Sequence, residues 1–285
     1  MSYITFSSLG ESGGMCSQLQ SYASLLAVAK ANNKEVVFLK SMFNKGCGIK
    51  IFDLLKIYPN IKPDSFFENF KLKPINFHTT SYDKTLFNLD ESNYDLSGRF
   101  DLYTYWYNDI KEKIDTWEFQ TDIIHNARLR LEKIKEKMGD KPTVSIHIRR
   151  GDYTLPQNQP LNIIDDDYYI EALSKNFLPI TNYNFIIFSN DIEYAKSHLE
   201  GDNAYFVEPE GIDSYSYTSS EKDDLALLSL CDHHIITNST YSWWGAYLSK
   251  SPNKKIICPT NWLKGSSFMN GNHFPPNWIN INNKN

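Results

Sequence analysis

The sequence has few cysteines, no long apolar run and no excess of basic residues, and each shortage excludes a class of protein. Its four cysteines form no CxxC pair and have no zinc-like spacing from histidine, so neither a zinc site nor a disulfide framework is expected. No run approaches the roughly 18 apolar residues of a membrane-spanning helix. The first residues predict a strand rather than a signal peptide, and we expect a cytoplasmic protein without a membrane span.

Net charge and missing motifs narrow the function further. The formal net charge is −5, and binding to nucleic-acid backbones needs a basic face, so no nucleic-acid partner is expected. The chain has no Walker loop, no GxSxG motif and no HExxH motif. It also lacks a GxGxxG loop after the first predicted strand, which argues against a Rossmann-type epimerase.

The order of strand and helix patterns predicts α/β layers with parallel sheets. A chain of 285 residues is typical of two domains, and we place their boundary after an amphipathic helix over Thr121–Met138. The predicted domains are therefore residues 1–140 and 141–285. The second has about five strands in Rossmann-like alternation with helices, and the Asn-rich tail after Trp278 is expected to fray.

The aromatic segment Phe100–Tyr107 (FDLYTYWY) has two interpretations. Its rings could form a packed hydrophobic corner of the first domain. They could also form a platform on which the apolar face of a sugar stacks, because flat rings suit the flat face of a hexose.

The motif HIRRGDY, His147–Tyr153, carries the strongest signal for function. It follows a buried strand predicted over Thr143–Ile148, and open α/β sheets bind their ligands at the carboxyl ends of strands. Arg149 and Arg150 present planar forks of donors that match phosphate oxygens. The alternative is that both arginines form surface ion pairs with Asp152 or other nearby acids.

Two further polar turns follow strands of the second domain. Ser189–Asp191 follows one strand, and Thr237–Thr240 follows another at the start of a helix. A helix N-terminus offers backbone N–H groups to an anion, although ordinary helix capping explains each turn equally well. Together with Arg149, the two turns, including Asn190, predict one nucleotide crevice. The acidic run Asp165–Asp167 precedes a helix, where first-turn acids are favoured without any metal.

Four segments together resemble a known family. HIRRGDY, FSNDIEYAK (188–196), DLALLSLCDHHIITNSTYSWWGAYLS (224–249) and FPPNWINI (274–281) are similar to the bacterial α-1,2-fucosyltransferases, the inverting glycosyltransferase family 11. The segment GGMCSQLQSYA (13–23) resembles the family's first loop, usually close to GGLGNQMFQYA, with departures at Cys16, Ser17, Gln20 and Ser21.

The resemblance implies a fold, an activity and a set of site residues. The fold would be α/β and GT-B-like, with two Rossmann-like domains facing a cleft, the acceptor side in residues 1–140 and GDP-fucose bound in residues 141–285. Arg149 would bind the β-phosphate, His147 and Asp224 the guanine, and Ser239 and Thr240 the phosphates. The implied reaction moves L-fucose from GDP-β-L-fucose to the 2-hydroxyl of a galactoside. The galactose-containing acceptor would be a glycan, such as an O-antigen unit.

The implied chemistry needs no metal ion or other cofactor. A guanidinium and a helix N-terminus can stabilise the charge that develops on the leaving phosphate. A carboxylate can remove the acceptor proton, and the candidates are Asp152, which could equally orient Arg149 or Arg150, and Glu11 in the Gly-rich loop. A second hypothesis, motivated by Cys16 and Ser17, is a catalytically lapsed nucleotide-sugar-binding protein of the same fold. We expect Asp224→Ala to weaken GDP binding without disturbing the fold.

Overall fold

The chain divides into two compact units, Met1–Glu118 and Phe119–Asn285. The computed structural model describes residues 2–11, 13–77, 82–98, 100, 102–158, 161, 163–208, 220–263 and 273–283. The boundary precedes the helix Thr121–Met138, whereas the sequence pattern places it after that helix. The reason is packing, because this helix lies against a helix of the second unit, Ser220–Leu230, and forms an ion pair with it.

The first unit contains a four-stranded parallel sheet in the order β2–β1–β6–β5, and a separate parallel pair, β3 and β4. Its strands are β1 Ser2–Thr5, β2 Lys34–Val36, β3 Phe38–Leu39, β4 Ile61–Lys62, β5 Leu72–Phe77 and β6 Asn93–Gly98. Its α-helices are α1 Met15–Ala31, α2 Ile51–Leu54 and α3 Tyr107–Asp115. The parallel strands confirm the α/β prediction for this half.

The segment with the altered family motif forms the start of α1 and packs against the loop before α2. The Gln18 side chain donates to the carbonyl of Gly48 at 3.0 Å and accepts from the backbone N–H of Lys50 at 2.9 Å. Cys16 is buried. Gly10 lies so close to the same loop that a Cβ atom there would be 2.8 Å from the carbonyl carbon of Gly48. Gln18 therefore holds the loop that precedes α2, and Gly10 allows the loop before α1 to approach it closely.

Four residues of the aromatic segment Phe100–Tyr107 are buried in the first unit rather than exposed on its surface. Phe100, Leu102, Tyr105 and Trp106 are each at most 1 % exposed. Phe100 contacts Phe6 and Tyr105 edge-on. The packed-corner interpretation is therefore confirmed for these residues, and the sugar-platform hypothesis is wrong for them, because buried rings offer no face to a sugar.

The second unit contains a six-stranded sheet in the order β12–β11–β10–β7–β8–β9, in which every recorded pairing is parallel. Its strands are β7 Thr143–Ile148, β8 Asn184–Ser189, β9 Ala204–Phe206, β10 His233–Ile235, β11 Ile256–Pro259 and β12 Ile279–Ile281. Its α-helices are α4 Thr121–Met138, α5 Asp166–Asn176, α6 Ile192–Leu199, α7 Ser220–Leu230 and α8 Thr240–Leu248. This alternation confirms the predicted Rossmann-like unit.

Strand β7 is the best-predicted element because it lies in the middle of the sheet. All its residues are buried, as expected for a strand covered on both faces. Its three polar side chains are hydrogen-bonded inside the unit. The Thr143 hydroxyl donates to Oδ2 of Asp232 at 2.9 Å, the Ser145 hydroxyl lies 2.8 Å from Nδ1 of His234, and Nδ1 of His147 lies 2.9 Å from the Ser242 hydroxyl. The burial of β7 fixes where the chain leaves the sheet, and therefore where Arg149 and Arg150 begin.

The prediction of a frayed tail is wrong for the residues just after Trp278. Ile279–Ile281 forms β12, which pairs with β11, and the backbone N–H of Thr260 donates to the carbonyl of Ile281. The side chain of Asn283 and that of Asn261 each bond to the other residue's backbone. A strand of three residues is too short to show the alternation typical of strands. The Asn-rich composition alone therefore suggested a frayed tail.

Candidate active site

The predicted site residues of the second unit follow three adjacent strands. Strand β7 lies between β10 and β8, and all three are parallel, so their carboxyl ends lie along one edge of the sheet. Arg149 and Arg150 follow β7, and Asn190 follows β8. Asn238–Thr240 follows β10 and leads into α8. The structure thus brings together the three turns that the sequence assigned to one site.

Arg149 is held by an acid and faces an aromatic ring. One terminal nitrogen, Nη2, lies 2.7 Å from Oδ1 of Asp152, and the guanidinium lies 5.4 Å from the ring centre of Tyr153. Tyr153 in turn donates its hydroxyl to the carbonyl of Asn238 at 3.1 Å, which joins the turn after β7 to the turn after β10. The Nε atom of Arg149 is buried without a hydrogen-bond partner among the described residues. The Nε atom of Arg150 has no such partner either, so this turn presents two buried guanidinium donors that an anionic group could accept from.

Asn190 braces the turn that carries both arginines. Its side-chain oxygen accepts from the backbone N–H of Arg150 at 3.0 Å, and its side-chain nitrogen donates to Oδ1 of Asp152 at 3.4 Å. Gly151 has a φ angle of +21°, and a Cβ atom there would lie 2.2 Å from the Asn190 nitrogen. The glycine of the motif is therefore required by the close approach of Asn190.

We expect Gly151→Ala to disrupt this turn. The new methyl group would displace Asn190 and break its contacts with Arg150 and Asp152, with a loss of roughly 1–3 kcal/mol in unfolding free energy. Urea denaturation checks the stability. The matched control is Gly201→Ala, because the closest atom to a Cβ there is the Asn203 side-chain oxygen at 3.4 Å. Equal stability of the two variants would contradict the assigned role of Gly151.

Arg150 is packed more tightly than Arg149. Its guanidinium lies 3.7 Å from the ring centre of Tyr194, and its Nε lies 3.5 Å from Oδ2 of Asp191, outside good hydrogen-bond geometry. The Tyr194 hydroxyl donates to Oδ1 of Asp166 at 2.7 Å. Both arginines therefore form the ion pairs that the alternative interpretation expected, and a phosphate role must act in addition to them.

The acidic run before α5 has structural roles in the described part of the chain. Asp165 caps α5 by accepting from the backbone N–H of Tyr168, and Asp166 holds Tyr194. Within the described ranges, no three His, Cys, Asp or Glu side chains are grouped so that they could hold a metal ion. No helix in the same ranges is both long and apolar enough to cross a membrane.

The turn after β10 is a helix cap. The Ser239 hydroxyl accepts from the backbone N–H of Tyr241 at 3.3 Å, and Thr240 is the first residue of α8. Asn238 donates its side-chain amide to the carbonyl of Trp262 at 2.8 Å and accepts from the Thr237 hydroxyl. The capping interpretation is confirmed for Ser239. A capping hydroxyl keeps its own proton to donate, so an anion at the same helix start remains compatible with the cap.

His147 is buried and neutral. Its Nδ1 lies 2.9 Å from the Ser242 hydroxyl, and its carbonyl accepts from the Tyr169 hydroxyl at 3.1 Å. Burial, with a smaller effect of the nearby Arg149 charge, lowers the pKa of His147 from 6.5 to about 3. The ring is therefore uncharged near neutral pH.

His147 should make the protein less stable in mild acid. Burial also lowers the pKa of His273 to about 3 and that of His234 well below 6.5. Below pH 6.5 these histidines become protonated in the unfolded chain but stay neutral in the folded chain. Their contribution to the free energy of unfolding is therefore complete above pH 6.5 and declines as the pH falls towards 3. We expect about 1 kcal/mol lost per buried histidine between roughly pH 7 and pH 5.5.

Urea denaturation at both pH values measures this loss. The His147→Gln variant should lose less stability than the wild type over that interval, because it lacks one of the titrating groups. The exposed His125 supplies the control, and His125→Gln should follow the wild type. An unchanged pH dependence in His147→Gln would show that His147 does not contribute.

Asp224 is already engaged by a residue that the sequence did not single out. On α7, its Oδ1 forms an ion pair with Nη1 of Arg130 on α4, and the two side chains are 17 % and 22 % exposed. Glu11, the other predicted base, is exposed in the loop after β1 of the first unit.

Several contributors to the site were missed because their roles depend on tertiary contacts. Tyr153 and Tyr194 lie within the family segments but had no assigned role, and Tyr169 lies outside those segments. All three support the turns from neighbouring elements. Trp243 and Trp244 belong to the family segment 224–249 and lie on α8. Both are buried, and the Trp243 ring nitrogen donates to the carbonyl of His273 at 2.7 Å.

The two parallel-sheet units, with polar turns on one sheet edge, define an α/β protein of the GT-B-like class. Among solved structures, the fucosyltransferase NodZ from Bradyrhizobium is similar, with a TM-score of 0.54 and 11 % identity. The match covers 86 % of this chain and 92 % of NodZ. At this identity the likeness shows the fold, and it confirms the predicted fold class.

The model of glycosyl transferase family 11 matches residues 9–282, and the chain belongs to this family. The α-1,2-colitosyltransferase of Escherichia coli is 27 % identical over 233 residues, which cover 79 % of this chain and 76 % of that protein. The galactoside α-(1,2)-fucosyltransferase 1 of Ateles belzebuth is 25 % identical over 284 residues, which cover 95 % of this chain and 73 % of that protein. The resemblance inferred from the motifs is thereby confirmed.

Proposed function

We propose that this protein is an inverting glycosyltransferase that moves L-fucose from GDP-β-L-fucose to the 2-hydroxyl of a galactoside. The observation that carries the proposal is Arg149, a family-motif arginine at the shared strand edge with a buried donor that has no partner among the described residues. The names of the two relatives, a colitosyltransferase and a galactoside fucosyltransferase, support α-1,2 transfer. NodZ, which shares the fold, has been co-crystallised with GDP and soaked with GDP-fucose.

The proposed donor site uses the three turns of the second unit. Arg149 binds the β-phosphate, and the N-terminus of α8 supplies the hydroxyls of Ser239 and Thr240 to the phosphates. As the bond to fucose breaks, negative charge builds up on the β-phosphate, where a fixed guanidinium and helix N-terminus stabilise it. His147 and Asp224 bind the guanine.

Arg150 and Asn190 hold the turn that places Arg149. Asn190 joins the backbone of Arg150 to Asp152, and the Arg150 guanidinium lies over the ring of Tyr194. We therefore assign both residues to the nucleotide site through the turn that they brace.

The contacts of Asp152 favour one of its two roles. Its Oδ1 receives both Arg149 and Asn190, which supports the role of orienting Arg149 during catalysis. Neither contact excludes Asp152 as the base that removes the acceptor proton, and the exposed Glu11 is the alternative candidate.

The proposal is tested by a donor and acceptor screen with purified protein. We expect GDP release from GDP-fucose but no UDP release from UDP-galactose, and faster GDP release when a β-galactoside is added. NMR of the product should show fucose in α linkage to the 2-hydroxyl, which reports inversion. Release of GDP without transfer of fucose to the galactoside, or binding of GDP-fucose without release of GDP, would instead support the hypothesis of a catalytically lapsed nucleotide-sugar-binding protein.

Activity should not depend on a divalent metal ion. Arg149 and the start of α8 already supply positive potential to the phosphates, and Asp165 and Asp166 are committed to the helix cap and to Tyr194. We expect the transfer rate in excess EDTA to stay within about twofold of the rate with Mg²⁺ or Mn²⁺. A rate that collapses in EDTA and returns with either metal would assign this work to a carboxylate cluster.

A further inference from the structure

Helix α4 carries a charged residue where its pattern calls for an apolar one. Its buried residues Ile123, Ala127 and Ile134 lie along one face at helical spacing. Arg130 falls on the same face, between Ala127 and Ile134, and its side chain is only 22 % exposed. A guanidinium at such a position loses much of its hydration, which is costly unless the charge is paired.

The partner of Arg130 is Asp224, which precedes the buried stretch Leu225–Leu228 of α7. Apolar residues at both positions would pack α4 against α7 at least as well, since replacing a buried ion pair by hydrophobic residues is often neutral or stabilising. A gain in stability therefore explains poorly why Arg130 and Asp224, rather than apolar residues, occupy these positions. A role of the Asp224 carboxylate in binding a ligand explains it better.

The geometry of guanine recognition explains what Arg130 contributes. Guanine presents its N1–H and its 2-amino group side by side, and a carboxylate accepts both only when its plane is turned towards the base. A carboxylate offers about four acceptor positions, and the contact with Arg130 uses one of them, on Oδ1. The same contact restricts rotation of the carboxylate about its terminal torsion, which is otherwise soft.

We propose that Arg130 is a positioning residue for base recognition, holding the Asp224 carboxylate in the plane that guanine requires. The inference rests on the proposed function, which assigns Asp224 to guanine. It adds that base selectivity is set partly from α4, by a residue outside the family motifs of this chain.

Calorimetric titration with GDP and IDP tests this role on the whole protein. IDP lacks the 2-amino group, so the ratio of the two affinities reports on the hydrogen bond that depends most on the carboxylate plane. The variants are Arg130→Met, which keeps the apolar stem, and Arg130→Gln, which keeps a donor but loses the charge. Arg128→Met is the matched control, because Arg128 lies on the exposed face of the same helix.

We expect the wild type and Arg128→Met to prefer GDP over IDP by about tenfold. In Arg130→Met and Arg130→Gln the preference should fall to about twofold or less, through weaker GDP binding. A purely structural role would lower the melting temperature and leave the GDP-to-IDP ratio unchanged, and that result overturns the inference. If Arg130→Met does not fold, Arg130→Gln decides alone.

The wild-type titration separates the two proposals. A wild type that prefers GDP, with variants that keep the same preference, overturns the role of Arg130 and leaves the proposed function standing. A wild type that binds neither nucleotide overturns the proposed function, and the role of Arg130 falls with it.

Discussion

Replacing Arg149 by alanine is expected to lower kcat/KM for fucosyl transfer by about 10³-fold, or roughly 4 kcal/mol of transition-state stabilisation. Arg149 is the proposed partner of the charge that develops on the β-phosphate. The loss should therefore fall on kcat as well as on donor affinity, because the interaction strengthens as the bond to fucose breaks. Steady-state kinetics with GDP-fucose and a galactoside measure both terms.

Two further variants make the Arg149 result specific. Arg149→Lys should also lose most of its activity, because an ammonium cannot present the planar fork of a guanidinium. Lys141→Ala, an exposed position before β7, should retain activity and controls for a general loss of positive charge. The Arg149 side chain is 32 % exposed, so its variants should fold, which circular dichroism can verify. Near-normal turnover in folded Arg149→Ala would remove the basis of the proposed function.

The sequence predicted those parts of the fold that depend on local pattern. Strand β7 appears at its predicted bounds, Thr143–Ile148, because a buried central strand is a mostly apolar run that ends at a polar turn. Helix α4 also appears at its predicted bounds, Thr121–Met138, because its apolar face has a clear period. The parallel order of the strands then follows from their alternation with helices.

Other parts could not be predicted because they depend on contacts distant in sequence. Strand β6, with the sequence NYDLSG, is largely polar and still lies inside the first sheet, where Asp95 accepts from both the backbone and the hydroxyl of Ser7. The assignment of α4 to the second unit depends on α7, about ninety residues later in the chain. Neither the place of β6 in the sheet nor the packing of α4 on α7 produces a periodic pattern in the sequence.

The candidate site shows the same division. The strand-end turns with Arg149, Asn190 and Ser239 were predictable because parallel strands place their carboxyl ends together. The partners of these residues were not, since the contact of Asn190 with Arg150 joins residues forty positions apart. The one signal for Arg130 was a charge on the apolar face of α4, and that signal is meaningful only once a partner is known.

Asp224→Asn is expected to weaken GDP binding by roughly 100-fold and to leave ADP binding nearly unchanged. The carboxylate can accept from both guanine N1–H and the 2-amino group, whereas an amide offers one acceptor and turns an N–H group against the base. Adenine presents no such donor pair, so its affinity should not depend on the charge at this position. The wild type should accordingly prefer GDP over ADP by a similar factor.

The ion pair with Arg130 decides which variant gives a clear result. Sequence alone suggested Asp224→Ala, but that change would leave Arg130 unpaired in a largely buried position and cost stability as well as affinity. Asparagine keeps the shape and one acceptor for Arg130. Calorimetry with GDP and ADP measures the expected change, and Asp223→Asn, at the neighbouring position of α7, is the matched control. Equal affinity of the wild type for GDP and ADP would show that guanine is not recognised by Asp224.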